Sequence, residues 1–164
     1  MKGLANAARP LPAPRTDNDF VPTVVAAEGA VLDRVLDAVC GSLRAGLQRM
    51  AYAKFHAARM KTAWGRRCQR TFALIEGQSV LASTERYDVQ GMFDGRTVRV
   101  CAVGSVWAEP SAPGSAHAPR LIDSVIDDAA RDGADLALVF PTTGIEIGVQ
   151  PAEHGGRLGP VRHD

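Results

Sequence analysis

Thr97-Val98-Arg99-Val100-Cys101-Ala102-Val103-Gly104-Ser105-Val106-Trp107, then a loop of small residues, then Leu121-Ile122-Asp123-Ser124-Val125-Ile126-Asp127-Asp128-Ala129, then Leu136-Ala137-Leu138-Val139-Phe140, is the stretch that decides the fold. The first segment is rich in β-branched residues and reads as a strand. In the second, Leu121, Ile122, Val125, Ile126 and Ala129 form one stripe at helical spacing, with Asp123, Asp127, Asp128 and Arg131 turned away. Pro119 suits the first turn of that helix, where the N–H it lacks would have had no partner, and Gly133 suits the C-terminal cap. The third segment is a nearly continuous apolar run, the pattern of a buried strand paired in parallel. Strand, helix and strand in this order make a crossover unit, and the chain is therefore α/β. The first segment is eleven residues long. Strands usually run to about 5–6 residues, so a bend or bulge is predicted near Gly104 or Ser105.

Working outward, Thr71–Glu76 and Ser79–Tyr87 read as two strands turning at Gly77-Gln78. Asp88–Arg96, with its Asp94-Gly95 turn, reads as a longer hairpin leading into the decisive strand. Two helices precede these strands. One runs from about Gly29 towards Leu47 on the spacing of Val31, Val35, Val39 and Leu43, weakened by Gly41 and Gly46. The other runs from about Met50 to Ala63, with Lys54, Arg59 and Lys61 on wet faces. It turns Tyr52, Phe55 and Met60 towards the core and stops at Trp64-Gly65. Val21–Ala27 is a candidate first strand. Residues 1–20, with Pro10, Pro12 and Pro14, read as a flexible tail, and 21–149 as a single domain with a short strand at Ile145–Val149. Residues 150–164 have little to bury and read as a second tail.

A chain of 164 residues is long enough for one buried core. Nineteen Lys and Arg against eighteen Asp and Glu leave a net charge of +1, so no global field favours nucleic acid or an anionic membrane. Arg66-Arg67-Cys68-Gln69-Arg70 is the one dense basic run, either a solvated connection or an attraction for phosphates. No run approaches the roughly 20 apolar residues that cross a bilayer. Cys40, Cys68 and Cys101 show no metal-ligand spacing with the four histidines. The expectation is of buried thiols in a reducing, cytoplasmic compartment, with no metal, nucleic acid or membrane as partner.

Between Trp107 and the helix lies Pro110-Ser111-Ala112-Pro113-Gly114-Ser115-Ala116-His117-Ala118-Pro119-Arg120. A loop of small residues entering a helix lets an anion approach unpaired backbone N–H groups, although neither common phosphate-loop pattern is present. Taken with Gly104–Pro110 before it and Asp132–Phe140 after it, this segment resembles the central motif of the GNAT acyltransferases. The resemblance covers roughly residues 22 to 140. It implies a GNAT-like mixed, mostly antiparallel central sheet flanked by helices, with a strand–helix–strand cofactor-binding core. It further implies an acyl-CoA co-substrate, acetyl-CoA first, and transfer of the acyl group by direct attack of an amine. By the same resemblance the backbone of Ser105, Val106 and Trp107 pairs with the pantetheine arm, and Gly114, Ser115, Ala116, His117 and Ala118 cradle the pyrophosphate. The chain departs from the family at Pro113, where Gln or Arg stands, and at Ala116, usually glycine. It has no Tyr after Tyr87, and only 24 residues follow Phe140, so the final strands are expected to be missing or altered.

Glu85, on the outgoing third strand, is a candidate base for the acceptor ammonium, directly or through water; otherwise it is an exposed strand carboxylate. Glu109 could act through water or be a turn residue, and His117 could face a phosphate or cap its helix. Tyr87 and Trp107 read as packing or pocket walls, and Cys101 as a core thiol. Two functions compete. One is an acyl-CoA-dependent N-acyltransferase acting on a small-molecule or lysine-like amine. The other is a catalytically inactive, shortened relative that binds a partner, or a homodimer in which a second copy covers the sheet end.

Overall fold

A computed structural model of the chain describes residues 21–42, 46–111 and 116–140, and the backbone of 148–151. The elements are β1 (Thr23–Ala26), α1 (Gly29–Ala38) with a short 3-10 turn (Val39–Gly41), α2 (Arg49–Lys61), α3 (Ala63–Cys68), β2 (Gln69–Glu76), β3 (Ser79–Phe93), β4 (Arg96–Ala108), α4 (His117–Arg131), β5 (Leu136–Val139) and β6 (Gly148–Pro151). The strands form one sheet in the order β1-β2-β3-β4-β5-β6. Every neighbouring pair is antiparallel except β4 and β5, which run parallel on either side of the α4 crossover. The sheet is thus mixed and mostly antiparallel, with helices on both faces.

Alternation along the strands divides the core in two. On one face Phe72, Leu74, Cys101 and Val103 pack with Leu121, Val125 and Ala129 of α4. On the other, Ala73, Val80 and Trp107 pack with Val35 and Val39 of the first helical segment. The stripe foreseen on α4 is the buried one. Its C-terminal turn closes on Gly133, whose φ of +87° permits the left-handed cap. Arg86, 1% exposed, binds α4 to β3 by reaching Asp88 at 2.7 Å, Asp128 at 3.1 Å and Asp132 at 2.9 Å. That hydrogen bond to Arg86 holds the Asp132 carboxyl below the usual carboxylate range. The β3–β4 hairpin turns on Asp94 (φ 48°) and Gly95 (φ 72°), both positive as a type I′ turn requires.

Several expectations need correction. The first helix stops at Ala38 and its 3-10 extension at Gly41, short of Leu47. Trp64-Gly65 does not end α2; the break falls at Thr62, whose Oγ1 accepts the Gly65 N–H at 2.9 Å and so caps the start of α3. The face of α2 is rotated from the one foreseen: His56 is buried, while Phe55 is 54% exposed beneath the Arg59 guanidinium. Arg59, placed among the wet residues, turns inward. The basic run is no open connection, since Arg66, Arg67 and Cys68 belong to α3 and Arg70 of β2 pairs with Asp88 and Asp132. The strand sought at Ile145–Val149 is observed at Gly148–Pro151, so Gln150 and Pro151 of the foreseen tail lie in β6, antiparallel to β5. Residues 141–147, like both tails' remaining residues, lie outside the described ones.

Candidate active site

The bend foreseen in β4 is a β-bulge. Ser83 pairs with Trp107 and Glu85 with Gly104, so two steps along β3 are matched by three along β4. Ser105 takes up the mismatch with φ +52°, and Thr84 Oγ1 donates to the Gly104 carbonyl at 2.8 Å. The bulge re-aims the Ser105 hydroxyl at Glu85, where Oγ donates to Oε2 at 3.2 Å. Here too β4 and β5 part. Among the described residues their pairing ends at Val103 and Val139, with Phe140 N–H on the Val103 carbonyl at 2.8 Å, while β4 continues to Ala108. The N-terminus of α4 follows that strand end. Ala116 offers no capping side chain, Pro119 has no N–H, and the first-turn amides of His117 and Ala118 lack an intrahelical partner by helix geometry.

Glu85 is 5% exposed, which excludes the exposed-carboxylate reading. Arg59 Nη2 donates to its Oε1 and the Tyr87 hydroxyl to its Oε2, while His56 Nε2 stands 3.6 Å from Oε1. That last separation is an electrostatic contact rather than a hydrogen bond. His56 is itself buried, with Nε2 3.4 Å from Thr71 Oγ1. Burial holds the His56 imidazole below the ordinary histidine value of 6.5, against the upward pull of Glu85 and with the help of the Arg59 cation. Burial, then the hydrogen bond to Glu85, pushes the Tyr87 phenol up to about 12, and Tyr52 is raised by burial and by the same carboxylate. Trp64 stacks on Tyr87 with ring centroids 6.0 Å apart and planes at 26°. Next to the carboxylate is a cavity of about 10 Å³, with Val35, Leu36 and Val39 on its apolar side and His56, Glu85 and Ser105 on its polar side. That is about the room one water needs.

Of the residues singled out in the sequence, Glu85 and Ser105 meet in this cluster. Trp107, 6% exposed, is a packing residue, and Val106 is partly buried against the α4-side core. Glu109 is not brought to Glu85. Its N–H bonds the Leu81 carbonyl at 2.9 Å and its carboxylate accepts the Ser111 N–H at 3.2 Å, in the turn that follows β4. Ala116, His117 and Ala118 stand at the start of α4, whereas Gly114, Ser115 and Pro113 lie outside the described residues. His56 and Arg59 were missed as site residues, and Tyr87 was read only as a pocket wall. The available signal was their spacing: Tyr52, His56 and Arg59 recur every three or four residues on α2 and so share one face.

No protein-family model matches the sequence, and no curated protein is significantly similar to it. Solved structures do match. A GCN5-related N-acetyltransferase from Kribbella flavida superposes with a TM-score of 0.60 at 20% identity, over 76% of this chain and 31% of that one. A GNAT family acetyltransferase from Brucella melitensis, in complex with acetyl-CoA, superposes with a TM-score of 0.55 at 14% identity, over 86% of this chain and 93% of that one. The fold is the GNAT fold. It is not confined to proteins described as acetyltransferases: a transcriptional regulator from Bacillus halodurans matches with a TM-score of 0.60 at 12% identity, over 74% of this chain and 82% of that one. What a GNAT fold does must therefore be argued from its site.

Proposed function

We propose that the protein is an acyl-CoA-dependent N-acyltransferase whose acceptor amine meets the thioester at the β4 bulge, beside Glu85. The observation that carries this reading is the buried Glu85 carboxylate at the point where β4 and β5 part. A GNAT fold built for stability alone has no need of a carboxylate there. The residues present fit an acyl-CoA. The end of β4 runs on past its β5 pairing, and α4 starts with amides that no side chain among the described residues caps, a suitable seat for a pyrophosphate.

The co-substrate supplies an activated acyl group and a thiol leaving group; acetyl-CoA is the first to test. The protein's share is position and charge. Glu85 sets a negative charge beside the one-water cavity, whose far wall is Val35, Leu36 and Val39, and so favours an ammonium arriving there. Arg59, Tyr87 and Ser105 hold the carboxylate in one orientation. Tyr87 stays protonated at neutral pH and so remains a donor to it. The acceptor is an amine, on a small molecule or a lysine-like side chain.

Two measurements test this. Calorimetric titration with acetyl-CoA, against free pantetheine as control, should show saturable binding. Thiol release with a panel of amines should then fall by about 10²–10⁴-fold in Glu85→Gln while acetyl-CoA binding persists. A folded protein that binds no acetyl-CoA up to millimolar concentration overturns the enzyme reading and favours the inactive, partner-binding relative.

A further inference from the structure

We infer that His56, with Glu85 behind it, is the group that receives the proton given up by the acceptor amine; this rests on the acyltransferase reading. Glu85 already accepts from Arg59, Tyr87 and Ser105. To take a proton itself it would give up its charge and leave the Arg59 cation against a neutral acid inside the fold, which is unfavourable. His56 has no such obligation. Its Nε2 faces two oxygens, Glu85 Oε1 at 3.6 Å and Thr71 Oγ1 at 3.4 Å, and the carboxylate, which can only accept, favours the neutral tautomer with its hydrogen there. Nδ1 then keeps its lone pair, and the ring lines the same cavity as Ser105 and Glu85.

The groups facing this ring come from three elements: Glu85 from β3, Thr71 from β2, and Arg59 and Tyr52 from α2, with Tyr87 joined through Glu85. Glu85 favours the imidazolium; Arg59 and burial oppose it. The ring is therefore neutral, and ready to accept, at pH 7. Lost hydration and the Arg59 cation weaken the acceptor's ammonium as an ion, against the attraction of Glu85.

In the step itself one N–H bond of R–NH₃⁺ breaks and one Nδ1–H bond forms, with no change in oxidation state. The products are R–NH₂, its lone pair free to attack the thioester carbonyl, and an imidazolium whose Nε2–H faces Glu85. When the amide has formed, the second amine proton leaves with the thiol product and His56 returns its proton to solvent. Glu85 thus acts chiefly as the charge that orients the ring and faces the imidazolium.

The test joins a titration to a pH profile. In the full chain carrying labelled histidine, the ring signal lost in His56→Gln identifies His56. Its midpoint should lie below 6.5 and fall further in Glu85→Gln, where the facing charge is gone. In thiol-release assays with acetyl-CoA and propylamine, cadaverine or Nα-acetyl-lysine, wild-type kcat/KM should fall at acid pH with the His56 midpoint. His56→Gln and His56→Asn should lose about 10²–10³-fold and that acid limb, with acetyl-CoA affinity unchanged. A His56 midpoint indifferent to Glu85→Gln, or a wild-type pH profile in both His56 variants, overturns the inference and leaves the acyltransferase reading standing. A wild-type protein inactive on every amine overturns both.

Discussion

Gly65 sits where α2 turns into α3, and a methyl group there has nowhere to go. A Cβ at this position would stand 2.2 Å from the Arg59 carbonyl oxygen, 3.0 Å from the Arg59 carbonyl carbon and 3.1 Å from Met60 Cα. All three are backbone atoms, so no side chain can swing aside and the α2–α3 elbow itself must open. Two effects of Gly65→Ala oppose one another. Alanine in a helix gains about 0.5–1 kcal/mol over glycine through the unfolded chain's lost freedom. Overpacking costs about 1–3 kcal/mol, and a contact this short with immovable atoms lies towards the upper end. The balance is a loss of about 1–2 kcal/mol, or about 2–8 °C in Tm for a chain of this size. The displaced backbone is that of Arg59, whose guanidinium holds Glu85, so the His56 ring signal should shift as well. Thermal melting monitored by circular dichroism measures the first effect. Gly41→Ala is the control, since a Cβ there meets nothing within 4 Å, and it should stay within about 0.5 kcal/mol of wild type. A Gly65→Ala protein melting at or above wild type would show that propensity outweighs contact and that the elbow is not closed on Arg59.

The Gln69 amide is 1% exposed, and neither Nε2 nor Oε1 has a partner among the described residues. An unsatisfied buried amide costs about 1–3 kcal/mol, so Gln69→Met should raise the urea midpoint by about 1 kcal/mol in stability with an unchanged m-value; a lowered midpoint would mean that the amide is held by a bound molecule. The chain has two tyrosines, Tyr52 and Tyr87, and both phenols are raised, Tyr87 to about 12. The folded protein should therefore show little phenolate absorbance at pH 10, where a free tyrosine is half ionised. The stability Tyr87 contributes, complete below about pH 10, should be lost as pH rises through about 12. A phenolate step at pH 10 that precedes unfolding contradicts the buried Tyr87–Glu85 bond.

The parts of the fold that were legible are those written in apolar residues. The β4–α4–β5 crossover could be read because each segment has one buried face against one layer of core, and the stripe Leu121, Val125, Ala129 is the face that the sheet takes. The bulge was legible from the length of β4 and the Gly104-Ser105 pair within it. α2 was not. Its residues carry no coherent apolar stripe: Tyr52 does face inward, but placing Phe55 rather than His56 beside it misplaced the helix by part of a turn. What orients α2 is polar: His56 and Arg59 turn inward because Glu85 is there. A hydrophobic period cannot report a face held by charge.

The signal was nonetheless in the chain, spread over three elements. Alternation puts Gln69 and Thr71 of β2 on one face, and across from them stand Tyr87 and Glu85 of β3. A polar patch built from two neighbouring strands belongs to solvent unless a helix covers it, and a helix that covers it must be polar too. α2, with His56 and Arg59 at an i,i+3 spacing, is such a helix. Farther along the same sheet face the chain does the ordinary thing and buries Ala73, Val80 and Trp107. Well-packed hydrophobic residues at Glu85, His56 and Arg59 would be at least as stable as this buried ionic cluster. A carboxylate, an imidazole and a guanidinium closed in together at a bulge are therefore poorly explained by folding alone. They are well explained by a reaction in which an amine must give up a proton before it attacks.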